Sequence, residues 1–145
     1  MPIDAKRIEE HLVQWRHNRK FISQIPGHYA DWIVTVAFYT ALHAVEAILT
    51  ADGARPRSSH KDRHTILQAE RRYQKIHEDY CTLYDLALVA RYSASPAKWL
   101  PPAEIDEKVI RGTVYPIEAS VRRLLAGCKP PVAMPDVEPI SLRPL

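Results

Sequence analysis

The sequence has few cysteines and few glycines for its 145 residues. The two cysteines, Cys81 and Cys128, stand alone and form no C-x-x-C pair. They therefore offer no disulfide framework and favour a reducing, intracellular setting. The chain contains four glycines and 12 prolines, and the prolines fall mainly between or after the apolar periodic segments. This punctuation leaves room for helices and little room for strands.

The sequence shows no apparent targeting segment and no unbroken apolar run. Charged residues begin at the fourth position and the apolar run of a signal peptide does not follow them, so we expect no signal peptide. The most apolar stretch, residues 32–49, contains His43 and Glu46, and such groups are costly inside a membrane. Neither sign of charge dominates, because 20 Lys and Arg oppose 17 Asp and Glu for a net +3. We therefore expect a cytoplasmic protein with no membrane contact and with room for a polyanionic partner.

The first half of the chain predicts two helices. The first begins at Asp4, a good N-cap, and carries an apolar stripe opposite a basic face that includes Arg16, Arg19 and Lys20. The second covers about residues 28–51 and is apolar almost all round, which predicts the central and most buried helix. Gly53 follows it and suits the left-handed residue that ends many helices.

The second half predicts two more helices. Ser59 and Asp62 form a capping box for the third, which runs to about Tyr92 and keeps only approximate register, so that a bend is expected near residues 75–78. The fourth follows Pro102 and ends at Gly127, and an internal proline at position 116 is expected to kink it.

Four amphipathic helices with short connections bury their apolar stripes best as an antiparallel up-and-down bundle. The predicted fold is therefore all-α, with a four-helix bundle over residues 1–127. Residues 128–145 contain five prolines, which predicts an extended or disordered tail.

Seven histidines make metal binding the first chemistry to consider. His60 and His64 are four positions apart on a predicted helix and face the same way. No third ligand stands near them at a compatible spacing along the chain. We therefore expect no metal site and no cofactor.

An arginine and a histidine on the third helix indicate a second chemistry. A metal-free ribonuclease needs a base for the ribose 2′-hydroxyl, for which histidine has a suitable pKa, and a cation for the phosphate, for which arginine has a suitable fork. Arg72 and His77 are five positions apart, and Arg71 precedes them. In a chain this rich in basic residues the spacing also arises by chance, and solvated or ion-paired surface arginines are the alternative.

Other basic residues could bind phosphate. Arg55 and Arg57 lie in a short loop, and His60 starts the third helix. Arg91 ends that helix, far from His60 unless the helix bends back. Arg91 could equally pair with Asp85 or with a carbonyl at the helix end.

A polar row on the second helix is a further candidate. Tyr39, His43 and Glu46 share one face at helical spacing. They form either a hydrogen-bonded set that faces a cleft or a buried histidine that is satisfied by its neighbours.

Three segments together resemble the HEPN domain (higher eukaryote and prokaryote nucleotide-binding). Residues 37–49 are similar to its aromatic- and alanine-rich helix. Residues 59–63, Ser-His-Lys-Asp-Arg, resemble its T/S-H-D helix start, and residues 90–93, Ala-Arg-Tyr-Ser, resemble its A-R-Y-P helix ending. The resemblance covers about Asp4 to Leu125.

The resemblance implies an antiparallel bundle that often dimerises in prokaryotic toxin–antitoxin, defence or nucleotidyltransferase-associated systems. Active members are metal-independent ribonucleases that use R-x4-6-H, generally with a polar residue after the arginine. Here Tyr73 follows Arg72, and members with the A-R-Y ending often lack the catalytic motif.

Two functions are therefore expected as alternatives. In the first, the chain is a HEPN-like dimer that acts on or with RNA or nucleotides. It would then be an endoribonuclease toxin or defence component, with His77 as the base and Arg72 or Arg71 as the phosphate clamp. In the second, it is a non-catalytic interaction module for a nucleotidyltransferase or antitoxin, and its tail docks into a groove.

Overall fold

A computed structural model describes residues 4–54, 59–93 and 100–144, and these residues form helices and no strands. The prediction of an all-α fold is confirmed. The elements, in chain order, are α1 (Ala5–Ile22), α2 (Ala30–Ala51), α3 (His60–Ala69), a 3₁₀ turn (Arg71–Tyr73), α4 (Gln74–Tyr92), α5 (Pro102–Ile105), a π-helical segment (Asp106–Val114) and α6 (Tyr115–Ala126).

Side-chain caps start two of these helices where the sequence predicts them. The Asp4 carboxylate accepts a hydrogen bond from the Arg7 backbone N–H at 3.0 Å. The Ser59 hydroxyl oxygen accepts one from the Asp62 backbone N–H at 3.2 Å. Each bond satisfies a backbone donor that has no partner inside the helix.

Gly53 ends α2 as predicted. Its φ is 82°, a left-handed conformation that glycine adopts without a steric penalty. The N–H groups of Gly53 and Ala54 donate to the carbonyls of Thr50 and Leu49, both at 3.0 Å. These two bonds form a Schellman motif.

The third predicted helix is in fact two helices. Glu70 is extended, with φ of −115° and ψ of 127°, so the chain breaks before the bend expected at residues 75–78. The 3₁₀ turn that follows carries Tyr73, which is buried and donates its hydroxyl proton to the Asp52 carboxylate. Burial of Tyr73 against α2 provides a reason for the break, and α3 consequently folds back along α4.

The fourth predicted helix is continuous from α5 through the π-helical segment to α6. The backbone N–H of Tyr115 donates to the carbonyl of Ile110, five residues back, directly before the predicted kink at Pro116. Pro116 has no N–H to donate, which interrupts the regular hydrogen bonds of the helix at this point. The wider, π-helical turn accommodates this interruption.

α2 lies at the centre of the bundle and contacts α1, α4, α6 and the π-helical segment. It runs antiparallel to α1, because His11 contacts His43 while the end of α1 meets the start of α2. It runs antiparallel to α4, because Tyr39 contacts Arg91 while the Asp52 end of α2 meets the start of α4. Alone among the described helices, α2 is long and apolar enough to cross a membrane, but 78% of its most apolar stretch is buried in the bundle.

Residues 128–144 contain no helix and pack along α1. Residues 129–135 lie beside the first half of α1, and residues 136–140 lie beside its second half. Met134 and Ile140 are buried. The Ile140 N–H donates to the Tyr115 hydroxyl at 2.8 Å, so this segment covers the seam between α1 and α6.

Candidate functional site

The predicted phosphate clamp, Arg72, is held by two carboxylates. Its Nε lies 2.7 Å from Glu70, and one Nη lies 3.1 Å from Asp52. The guanidinium also lies over the ring of Tyr73, at 4.8 Å from the ring centre. Arg72 thus matches the ion-paired alternative, and Arg71 is exposed beside it.

The predicted base, His77, lies in a different set of contacts. Its Nε2 is 3.1 Å from His64 Nδ1 and 3.4 Å from Cys81 Sγ. Cys81 Sγ is 3.5 Å from the same His64 nitrogen. Among residues 4–54, 59–93 and 100–144, no hydrogen bond or ion pair joins His77 to Arg71 or Arg72.

We call these three residues the His64–His77–Cys81 cluster. Burial lowers the pKa of His77, and the nearby His64 lowers it further. Burial raises the pKa of the Cys81 thiol, and the charge of Asp85 adds to that effect. The electrostatics therefore favour a neutral imidazole and a neutral thiol at pH 7.

This cluster could not be predicted from the order of residues along the chain. His60 and His64 have no third ligand nearby in the sequence, whereas the fold-back of α3 brings His77 and Cys81 of α4 to His64. A local signal was present, because His77 and Cys81 are four positions apart on one helix face.

His60 lies half-buried against α4. Its ring stacks on Tyr84 with ring centres 3.4 Å apart and nearly parallel planes, and its Nδ1 is 3.2 Å from the Tyr80 hydroxyl. Burial lowers its pKa, and the positive charges of His64 and Arg63 add to the effect. His60 is therefore better suited to stacking than to binding phosphate as a cation.

Arg91 lies at the last turn of α4, between two tyrosines. One Nη donates to the Tyr39 hydroxyl at 3.2 Å, and the guanidinium carbon lies 5.6 Å from the ring centre of Tyr92. Its Nε donates to the Ala87 carbonyl at 3.3 Å, which matches one of the predicted alternatives. In the described parts of the chain, Arg91 forms no ion pair with Asp85 or with any other carboxylate.

The polar row on α2 is divided among three helices. His43 Nδ1 lies 3.1 Å from Nδ1 of His11 on α1. Glu46 accepts a hydrogen bond from Arg63 of α3 at 2.9 Å, and Tyr39 faces α4. The three side chains thus hold helices together and do not line one cleft.

A row of aromatic rings links two of the predicted phosphate-binding residues. The His60 ring stacks on Tyr84, Phe38 lies 5.6 Å from Tyr84, and Tyr39 lies 5.4 Å from Phe38. Tyr39 then contacts Arg91. We call Tyr39, Arg91 and Tyr92, at the end of this row, the Arg91 surface.

The remaining predicted phosphate-binding residues, Arg55 and Arg57, lie outside the described residues.

One predicted surface arginine is buried. Arg19, assigned from the sequence to the basic face of the first helix, is 7% exposed and forms two hydrogen bonds to Glu118, at 2.6 Å and 2.8 Å. Trp15 donates to the same carboxylate at 2.6 Å. The i, i+4 spacing of Trp15 and Arg19 places both on the apolar stripe, which was the available signal.

Comparison of the chain with models of known protein families, with curated proteins and with solved structures finds no match. The chemistry of the chain's own residues is therefore what indicates its function.

Proposed function

We propose that this protein is a HEPN-like helical domain that binds single-stranded RNA or nucleotides at the Arg91 surface. The observation that carries the proposal is an arginine that lies beside exposed aromatic rings and has no carboxylate partner among the described residues. Tyr39 is 39% exposed and Tyr92 is 77% exposed. Large exposed rings beside a cation are the usual elements of single-strand recognition.

Each residue of the Arg91 surface has a separate role. The exposed face of Tyr92 offers a platform on which a base can stack. The guanidinium of Arg91 offers a charged, forked donor for a phosphate. The Tyr39 hydroxyl fixes the direction of that fork, because it accepts one of the Arg91 N–H groups.

The Arg91 surface coincides with a segment that resembles the family. Ala90, Arg91 and Tyr92 are the residues similar to the A-R-Y helix ending, and α4 places the latter two at the bundle surface. The order of α1, α2, α4 and the α5–α6 helix, with α2 antiparallel to α1 and α4, supports an up-and-down HEPN-like arrangement.

Binding is proposed rather than cleavage because of the contacts of Arg72 and His77. Arg72 is neutralised by Asp52 and Glu70, and His77 contacts His64 and Cys81. A ribonuclease would need a base and a phosphate clamp that converge on one ribose and its phosphate. These contacts hold the two side chains in separate groups.

Fluorescence anisotropy with labelled single-stranded RNA tests the proposal. We expect Tyr92→Ala to lose about 1–3 kcal/mol of binding free energy, the usual value for one stacked base. We expect Arg91→Ala to weaken binding. It should also reduce the slope of the logarithm of affinity against the logarithm of salt concentration by about one, the value for one lost phosphate contact. Arg123→Ala is the matched control, since Arg123 is exposed on α6 and carries the same charge.

Equal weakening by Arg91→Ala and Arg123→Ala would contradict a specific surface, as would an undiminished affinity of Tyr92→Ala. Circular dichroism of each variant excludes unfolding as the cause. Gel electrophoresis of the same RNA in EDTA measures cleavage by the wild type and by His77→Ala. Metal-independent cleavage that is lost in His77→Ala would replace the binding proposal with the ribonuclease alternative.

A further inference from the structure

The fold-back of α3 onto α4 brings three metal-binding side chains together. His64 comes from α3, and His77 and Cys81 come from consecutive turns of α4. All three side chains are half-buried. They are therefore partly sheltered from water yet open to a small ion.

The donor atoms have the spacing of a zinc site. The two histidine nitrogens are 3.1 Å apart, and the sulfur lies 3.4 Å and 3.5 Å from them. A tetrahedral zinc ion, with bonds of about 2.05 Å to nitrogen and 2.3 Å to sulfur, separates two nitrogens by about 3.3 Å and a nitrogen and a sulfur by about 3.6 Å. The observed triangle is within about 0.2 Å of these values.

Hydrogen bonding explains the contact between the two histidines when one ring nitrogen carries a proton, but that nitrogen then has no lone pair to offer the sulfur. Within the described residues, these three atoms find hydrogen-bond partners only in one another. A neutral imidazole nitrogen that carries no proton can only accept, and a thiol is a weak donor. A bound cation would use one lone pair of each atom at the same time.

We propose that His64, His77 and Cys81 bind a zinc ion that links α3 to α4. Two imidazoles and one thiolate suit zinc and exclude magnesium or calcium, which require oxygen ligands. A fourth position would be filled by water, as in zinc sites with three protein ligands. The site is separate from the Arg91 surface, so the two proposals can fail independently.

Cobalt titration tests the site, because Co²⁺ replaces zinc in tetrahedral sites and gives a charge-transfer absorption band only when a thiolate is bound. The protein is first treated with a chelator and then titrated with CoCl₂. We expect one equivalent to produce this band in the wild type and in Cys128→Ser, and Cys81→Ser to abolish it. Zinc added afterwards should remove the band by displacing cobalt.

Histidine variants test the other two ligands. We expect His64→Gln and His77→Gln to weaken binding by more than about tenfold, since even residues that merely orient a ligand cost about 10- to 100-fold. His17→Gln, an exposed histidine on α1, is the control and should bind as the wild type does. Circular dichroism verifies that each variant is folded.

X-ray absorption at the zinc edge of the wild-type protein needs no variant. One sulfur and three nitrogen or oxygen neighbours would support the site. Absence of stoichiometric binding, a zinc shell without sulfur, or an unchanged cobalt band in Cys81→Ser would overturn it.

Discussion

At the scale of single residues, His43 shows how burial sets a charge. Burial lowers its pKa to about 4, and the positive charges of His11 on α1 and Arg63 on α3 act in the same direction against the raising effect of Glu46. The unfolded chain protonates this histidine near its ordinary pKa of about 6.5. The contribution of His43 to folding stability is therefore fully present above about pH 6.5 and is lost as the pH falls towards 4.

We expect urea unfolding to show this loss. Between pH 7 and pH 5 the wild type should lose about 1 kcal/mol through His43, a value discounted for its partial exposure. In His43→Gln the free energy of unfolding should depend less on pH, because the glutamine does not titrate. His17→Gln, at an exposed position, serves as the control and should keep the wild-type slope. Equal slopes in all three proteins would contradict the assignment to His43.

At the scale of elements, one buried carboxylate connects α1 to α6. Glu118 accepts hydrogen bonds from both Arg19 and Trp15, and Arg19 also donates to the carbonyl of Glu138 at 2.6 Å. Removal of Glu118 would leave a buried guanidinium without its counter-charge, which is costly even where the intact pair adds little net stability.

We expect Glu118→Ala to lower the free energy of unfolding by about 3–5 kcal/mol. Glu70→Ala breaks an ion pair with Arg72 in which both side chains are about half exposed, and it should cost about 0–1 kcal/mol. Chemical denaturation of both variants measures the difference. Similar losses in the two variants would show that burial does not decide the contribution of these ion pairs.

The starts of α1 and α3 could be predicted from the sequence, whereas the break at Glu70 could not, and the difference has a physical reason. Caps such as Asp4 and Ser59 are local, because the side chain bonds to a backbone group three residues away. No proline or glycine stands at the break. The contact that accompanies it joins Tyr73 to Asp52 at the end of α2. A tertiary contact of this kind leaves no local pattern in the sequence.

For the candidate site, too, single residues could be predicted from the sequence, but the contacts between them could not. Arg91 and Tyr39 were identified singly from charge and helical spacing, but their contact depends on how α2 and α4 pack. The His64–His77–Cys81 cluster depends on the fold-back at Glu70, so a continuous third helix could not reveal it.

At the scale of the whole molecule, residues 128–144 are part of the packed body. Two side chains of this segment, Met134 and Ile140, are buried against the helices, and Arg122 donates to the Met134 carbonyl at 2.6 Å. Burial of two such apolar side chains stabilises a fold by about 1.5–3 kcal/mol each. The segment therefore acts as a strap over α1 and α6.

We expect a chain that ends at Gly127 to be less stable than the full chain. Met134→Ala and Ile140→Ala should each cost about 2 kcal/mol or more by loss of burial. Glu138→Ala, whose side chain is exposed, should stay within about 0.5 kcal/mol of the wild type. Thermal unfolding measures all four proteins, and a truncated chain as stable as the wild type would show that the strap contributes nothing.

The course of the strap also fixes how this domain could be joined to other polypeptides. Because residues 129–140 follow α1 from its beginning to its end, Asp4 and Pro144 lie near opposite ends of α1, which is about 27 Å long. Gly27 has no side chain, and a methyl group there would come within 2.7 Å of the Pro144 carbonyl, so the last residues sit tightly on the α1–α2 turn. A fusion partner placed before Asp4 and one placed after Pro144 would therefore be held apart by the length of the molecule, with the domain as a rigid spacer between them.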